Sequence, residues 1–159
     1  MTRRILALLL AVAFSAPSQT PAQKYDGPRP PKPDLPYLKH AQNLVPTEPG
    51  TATEEKKKDD ILYVIQGASS SAKTPLASPI FLLEVDKLNP DRLGLYKLEV
   101  RNGRREILFG AKKQPRPIRI EVNRIADKLY KIEVGDSLEA GEYSLSPEQS
   151  NQVFCFQVF

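Results

Sequence analysis

Tyr96-Lys97-Leu98-Glu99-Val100-Arg101-Asn102-Gly103-Arg104-Arg105-Glu106-Ile107-Leu108-Phe109 is the stretch that decides the fold. Asn102-Gly103 suits a two-residue type I′ turn, because both central residues of that turn need φ > 0. Folding the chain there sets Val100 opposite Arg105, Leu98 opposite Ile107 and Tyr96 opposite Phe109. Tyr96, Leu98, Val100, Ile107 and Phe109 then share one face, while Lys97, Glu99, Arg101, Arg104 and Glu106 share the other. A slip of one residue would mix the two sets, so turn chemistry and alternation select the same hairpin.

The same period of two extends in both directions. Upstream, Ile61-Leu62-Tyr63-Val64-Ile65, ending at Gly67, and Ile80-Phe81-Leu82-Leu83-Glu84-Val85 read as strands around the polar loop Ser69 to Pro79. Downstream, Ile118, Val122, Ile125, Leu129 and Ile132 fit a helical stripe. The alternation of Ile118, Ile120 and Val122, and of Tyr130, Ile132 and Val134, fits strands instead. Their β-branched content, with Pro115 and Pro117 upstream, favours two short strands joined near Ala126-Asp127. Gly141 to Leu145 and Gln152 to Val158 form a closing hairpin around the longer loop Ser146 to Asn151. Roughly eight strands, with turns every eight to twelve positions, predict an all-β antiparallel sandwich.

The chain ahead of that body reads differently. Arg3 and Arg4 precede the unbroken apolar run Ile5 to Phe14, which is too short to span a bilayer and is followed by small residues. Residues 1–22 are therefore expected to be a secretory leader, removed after Ser15 or Ala22. Residues 23–59 are expected to be a lead-in. Lys24 to Pro36 holds five prolines, which predicts an extended, semi-rigid spacer. Glu54 to Asp60 is a mixed-charge run, read as a solvated boundary before a domain at 60–159.

Composition excludes several functions. The net charge is +4; without Arg3 and Arg4, 21 basic residues face 19 acidic ones, for +2. That balance calls for no nucleic-acid partner. The single cysteine, Cys155, has no intramolecular disulfide partner, and its setting in Val153-Phe154-Cys155-Phe156 reads as a buried small hydrophobe. No cysteine follows the leader to carry a lipid anchor, and nothing in the exported form calls for membrane insertion. Phe159 ends the chain with an aromatic residue, as outer-membrane barrels do, but their strands run about nine to eleven residues with a lipid-facing band. The strands here read as shorter, with charge on their outer face.

Leu138-Glu139-Ala140-Gly141-Glu142-Tyr143-Ser144-Leu145 resembles the approach to the penultimate strand of immunoglobulin-like domains. The resemblance casts Tyr143 as a tyrosine-corner residue, its hydroxyl bonded back to the backbone. Leu145 stands where a disulfide cysteine often sits, and the chain has no tryptophan, so the antibody-type pins are missing. The stretch after the leader is also similar to small exported bacterial proteins of unknown function that end in a GEY…FCF hairpin. That similarity implies an immunoglobulin-like β-sandwich and carries no activity with it.

Candidate chemistry is sparse. Ser70-Ser71-Ala72-Lys73 has the S-x-x-K spacing of penicillin-recognising enzymes, but it falls in a loop and lacks its companion motifs. His40, the sole histidine, has no ligand or triad partner at useful spacing, and Asp59-Asp60 has too few oxygens for a cation site. No residue set calls for a cofactor or a metal. Arg101, Arg104, Arg105, Lys112, Lys113 and Arg116 form the densest basic zone, a candidate patch for an anionic envelope polymer or an acidic partner. The expected function is that of a non-catalytic exported module binding a protein or envelope partner. Electrostatic binding of anionic envelope polymer through the basic hairpin is the alternative.

Overall fold

The structure, a computed structural model, describes residues 24–159. The leader expected over 1–22 lies outside the described residues. The described chain is all-β, with thirteen strands. They are β1 Tyr37–His40, β2 Asn43–Pro46, β3 Glu48–Thr51, β4 Thr53–Lys57, β5 Asp60–Gln66, β6 Lys73–Thr74 and β7 Ile80–Glu84. After a 3-10 turn at Pro90–Arg92 come β8 Leu93–Arg101, β9 Arg104–Phe109, β10 Ile120–Ala126, β11 Leu129–Val134, β12 Gly141–Pro147 and β13 Gln152–Val158.

The β8–β9 hairpin has the register that Asn102-Gly103 demands, with Val100 opposite Arg105 and Arg101 opposite Arg104, but its ladder stops at Glu99 opposite Glu106, short of the expected Leu98–Ile107 and Tyr96–Phe109 pairs. Both turn residues are left-handed, Asn102 at φ 51° and Gly103 at φ 73°. The ambiguous stretch after Pro117 is two antiparallel strands, β10 and β11, turning at Asp127-Lys128, with Lys128 at φ 56°.

Two antiparallel sheets pack as a sandwich. The smaller runs β10-β11-β7-β1-β2 and the larger β3-β13-β12-β8-β9-β5-β4, with β6 added parallel to β13. The edges of the larger sheet, β3 and β4, are two halves of one strand that breaks only at Ala52. Its first half pairs with β13, Thr51 opposite Gln152, and its second half with β5, Thr53 opposite Val64. The Ala52 N–H, donated to the Asn151 carbonyl at 2.7 Å, continues the first ladder through the break. The larger sheet therefore closes on itself as a six-stranded ring through the β3–β4 strand, with β8 and β9 joined by a ladder only over Glu99–Arg101. Immunoglobulin-like sandwiches keep two open sheets, so the ring is a departure from that pattern.

Closure gives the larger sheet two apolar faces. Its outer face presents Leu95, Leu145, Phe154 and Phe156 to Leu38, Phe81, Leu83 and Ile132 of the smaller sheet. Phe81 and Phe156 meet edge to face there, with ring centroids 5.0 Å apart. Its inner face brings Ala52, Ile65, Leu98, Val153 and Cys155 together with Tyr63 and Ile107 across the ring.

The expected domain start at residue 60 is too late. Residues 37–57 supply β1 to β4, including the strand that closes the ring, and the mixed-charge run is most of β4 with Lys58-Asp59 as its turn into β5. The backbone alternation of Tyr37 to Thr53 is masked in sequence by prolines, threonines and charges. Nor is the proline-rich stretch a free spacer. Arg29 pairs with Glu84 at 3.0 Å, and the Asp34 carboxylate accepts backbone N–H groups from Asp86, Lys87 and Leu88. Burial pushes the Asp34 carboxyl up, but those donors and the Lys87 charge outweigh it and hold the group below its usual value.

Candidate functional site

Alternation along the ring strands sends every second side chain inward, and each inward column runs from one end of the ring to the other. On β9 the column is Arg105, Ile107, Phe109; on β5 it is Ile65, Tyr63, Ile61; on β12 it is Glu142, Ser144, Ser146. The two ends of these columns have opposite characters.

At the Arg105 end the ring is plugged. Arg105 is 1% exposed and Glu142 3%. The guanidinium donates from Nε to the Gly67 carbonyl at 2.9 Å and from Nη1 to Ser70 Oγ at 2.7 Å. From Nη2 it donates to Glu48 Oε1 at 2.7 Å and to the Gln66 carbonyl at 2.8 Å. Glu142 accepts the Ser70 backbone N–H and hydroxyl. This clamp holds the loop after β5 across the end of the ring, and β6 then joins the loop to β13. Ser70 of the S-x-x-K match is thus buried in an ion-pair network. Lys73 is exposed on β6, so the spacing brings no base to the serine.

The opposite end is open. A cavity of about 570 Å³ enters there, walled by Tyr63, Tyr96 and Phe109 and floored by Leu98, Ile107 and Ile65. Phe109 stands between the tyrosines, 5.2 Å from Tyr63 with planes at 82° and 5.7 Å from Tyr96 at 61°. The three rings pack edge to face in a row along neighbouring strands β8, β9 and β5. Gly94 leaves room for one of them, since a Cβ at that position would lie 2.7 Å from the Tyr96 ring. Small side chains on β12, Ser144 and Ser146, line the cavity next to β8; their hydroxyls lie 2.8 Å apart.

The two charged residues lining the cavity are both acidic, Glu54 on β4 and Glu148 in the β12–β13 loop. Both are exposed, and among the described residues neither has a cationic side chain within ion-pair distance. Burial and then the Glu54 charge raise the Tyr63 hydroxyl above its ordinary value; burial and then the Glu148 charge do the same for Tyr96. Each tyrosine therefore sits within the field of one carboxylate. Lys56 lines a smaller recess beyond Glu54, together with Ile61.

The basic zone read from sequence does not assemble. Arg105 is inside the ring. Arg104 makes a bidentate pair with Glu55, at 2.7 and 3.3 Å, and Arg101 pairs with Glu99 at 2.6 Å. Lys112, Lys113 and Arg116 are exposed but follow β9 at its far end. A six-residue strand separates the two groups by roughly 20 Å. Cys155 is fully buried in the ring, and burial pushes its thiol up to about 11, so it is no nucleophile near neutral pH. His40 bonds Thr74 at 2.9 Å. Tyr143, on the outer face, donates its hydroxyl to the Glu139 carbonyl at 2.8 Å.

Among the described residues, no three His, Cys, Asp or Glu side chains converge as metal ligands, and no helix is long and apolar enough to cross a membrane. Compared with known proteins, the chain matches no family model, no curated protein and no solved structure.

Sequence reasoning missed the cavity because it treated Tyr96, Leu98, Ile107 and Phe109 as one core face. The signal was available for Arg105: cross-strand partners share a face, so pairing it with Val100 already placed it among the apolar residues.

Proposed function

We propose that the protein is a non-catalytic binding module working outside the cytoplasm, and that its ligand enters the open end of the ring. The observation carrying this reading is the aromatic-walled cavity. Its volume of about 570 Å³ lies within the usual range for ligand sites, and the mouth of a β-barrel is a common place for one. The leader supports export, and the tyrosine corner at Tyr143 supports kinship with immunoglobulin-like exported domains.

The chain has no tryptophan, so its intrinsic fluorescence comes from six tyrosines, two of them at the cavity. Titration with the neutral dye N-phenyl-1-naphthylamine should raise dye emission and perturb tyrosine emission together. Ser146→Trp, which fills the cavity from a half-buried position, should abolish the dye signal while thermal unfolding stays cooperative. Undiminished dye binding by that variant would remove the cavity as the site. Electrostatic binding of envelope polymer retains Lys112, Lys113 and Arg116 as its surface. It predicts retention that falls steeply between low salt and about 0.5 M.

A further inference from the structure

We propose that the cavity selects an organic cation: a quaternary or substituted ammonium group carried on an apolar body. This inference rests on the cavity being a ligand site and names the chemistry of its occupant.

The faces of aromatic rings carry the negative end of a quadrupole, so a cation enclosed by several faces is attracted to all of them. Tyr63, Phe109 and Tyr96 line the cavity together, so an occupant meets aromatic surface from three neighbouring strands.

Charge points the same way. Without Arg3 and Arg4 the chain is nearly balanced at +2, and Lys112, Lys113 and Arg116 follow β9 at this end. Yet no Lys or Arg lines this cavity and, among the described residues, neither carboxylate that does has an ion-pair partner. Glu54 is opposite Tyr63 in the β4–β5 ladder, and Glu148 lines the cavity from the loop after β12. Their negative charge would repel a carboxylate or phosphate ligand at the same depth. Beneath the rings the floor is apolar, formed by Leu98, Ile107 and Ile65, which suits a hydrocarbon or aryl body more than a bare ammonium ion. A strongly hydrated primary ammonium loses more on entry than a methylated one, so alkyl substitution on nitrogen should favour binding.

Three matched probes test this: benzyltrimethylammonium, its neutral isostere neopentylbenzene and the anion phenylmethanesulfonate, each competing against the neutral dye. The cation should bind about tenfold more tightly than the neutral isostere, as expected for a partly desolvated cation over aromatic faces, and the anion should bind worst. In Glu54→Gln/Glu148→Gln the ratio of cation affinity to neutral-isostere affinity should fall several-fold; an unchanged ratio would overturn the role of the carboxylates in cation selection. Equal affinity for cation and neutral isostere, or preference for the anion, would overturn the cation assignment while leaving the cavity a ligand site. Failure of the dye and all three probes to bind would overturn both readings.

Discussion

Arg105→Met would remove the guanidinium from the plugged end of the ring while keeping much of its aliphatic volume. Arg105 and Glu142 are 1% and 3% exposed and Ser70 is buried with them, so those groups have no water to replace the lost partner, while Glu48, Gln66 and Gly67 keep some access to solvent. Four protein acceptors lose their donor: the Gln66 and Gly67 carbonyls, Ser70 Oγ and Glu48 Oε1. Glu48 and Glu142 would also face one end of the ring with no cation between them. Breaking a buried pair by removing one partner costs about 3–5 kcal/mol, a large share of the roughly 5–15 kcal/mol that holds a domain folded. Summing the four hydrogen bonds would overshoot, because one side chain makes them all.

Urea unfolding measures the loss as a fall in midpoint at unchanged slope. Arg105→Lys keeps the charge but reaches fewer of the four acceptors, so it should cost less than Arg105→Met and still more than a surface change. The second arm concerns sign. In the Arg105→Met background, Glu142→Gln removes a stranded charge while keeping an acceptor for Ser70, so the double variant should be more stable than Arg105→Met alone. If Arg105→Met costs less than about 1 kcal/mol, or if the two substitutions simply add, the clamp does not hold the end of the ring as described.

Burial pushes the Glu48 carboxyl up, but the Ser71 backbone N–H and Arg105 outweigh it, so the folded protein holds Glu48 below its ordinary value. A depressed carboxyl adds stability that is present above the unfolded value near 4.3 and lost as pH falls through the folded one. The stability gap between wild type and Glu48→Gln should therefore be full near pH 6 and shrink below about pH 4 in urea midpoints; a gap constant with pH would refute the assignment. Tyr143→Phe removes the bond to the Glu139 carbonyl but keeps the ring stacked 5.6 Å from Phe156, so a cost of about 0.5–1.5 kcal/mol is expected. An unchanged urea midpoint would mean that the corner contributes nothing to stability.

Local rules carried the sequence reading as far as pairs of neighbouring strands. Asn102-Gly103 sets its own hairpin because the turn demands two left-handed residues. The β10–β11 and β12–β13 hairpins are legible for related reasons: alternation over five or more residues and short connections. What escaped depends on pairing between distant segments. Glu48-Pro49-Gly50-Thr51 has a proline and a glycine and little apolar content, yet it is a strand because β13 offers it a ladder. Pro49 is opposite Phe154 in that ladder. No local propensity announces such a strand, since its backbone partners lie a hundred residues away.

The closing of the ring also explains why a contiguous basic run in sequence scattered in space. Arg104 points out of β9 and Arg105 points in, because adjacent residues of a strand alternate. Inside the ring, Arg105, Ile107 and Phe109 follow at intervals of two and meet three different environments: an ion-pair clamp, an apolar waist and an aromatic mouth. The waist is what allows the ends to differ. Ala52, Ile65, Leu98, Val153 and Cys155 fill the middle of the ring, so the buried charges of the plug stay dry and the cavity stops short of them. Were the waist opened, water would reach Glu142 and Arg105 and the clamp would weaken by solvation. Binding at the mouth therefore depends on packing beneath it. The same inward column that supplies a wall of the site also anchors the plug that keeps its far end shut.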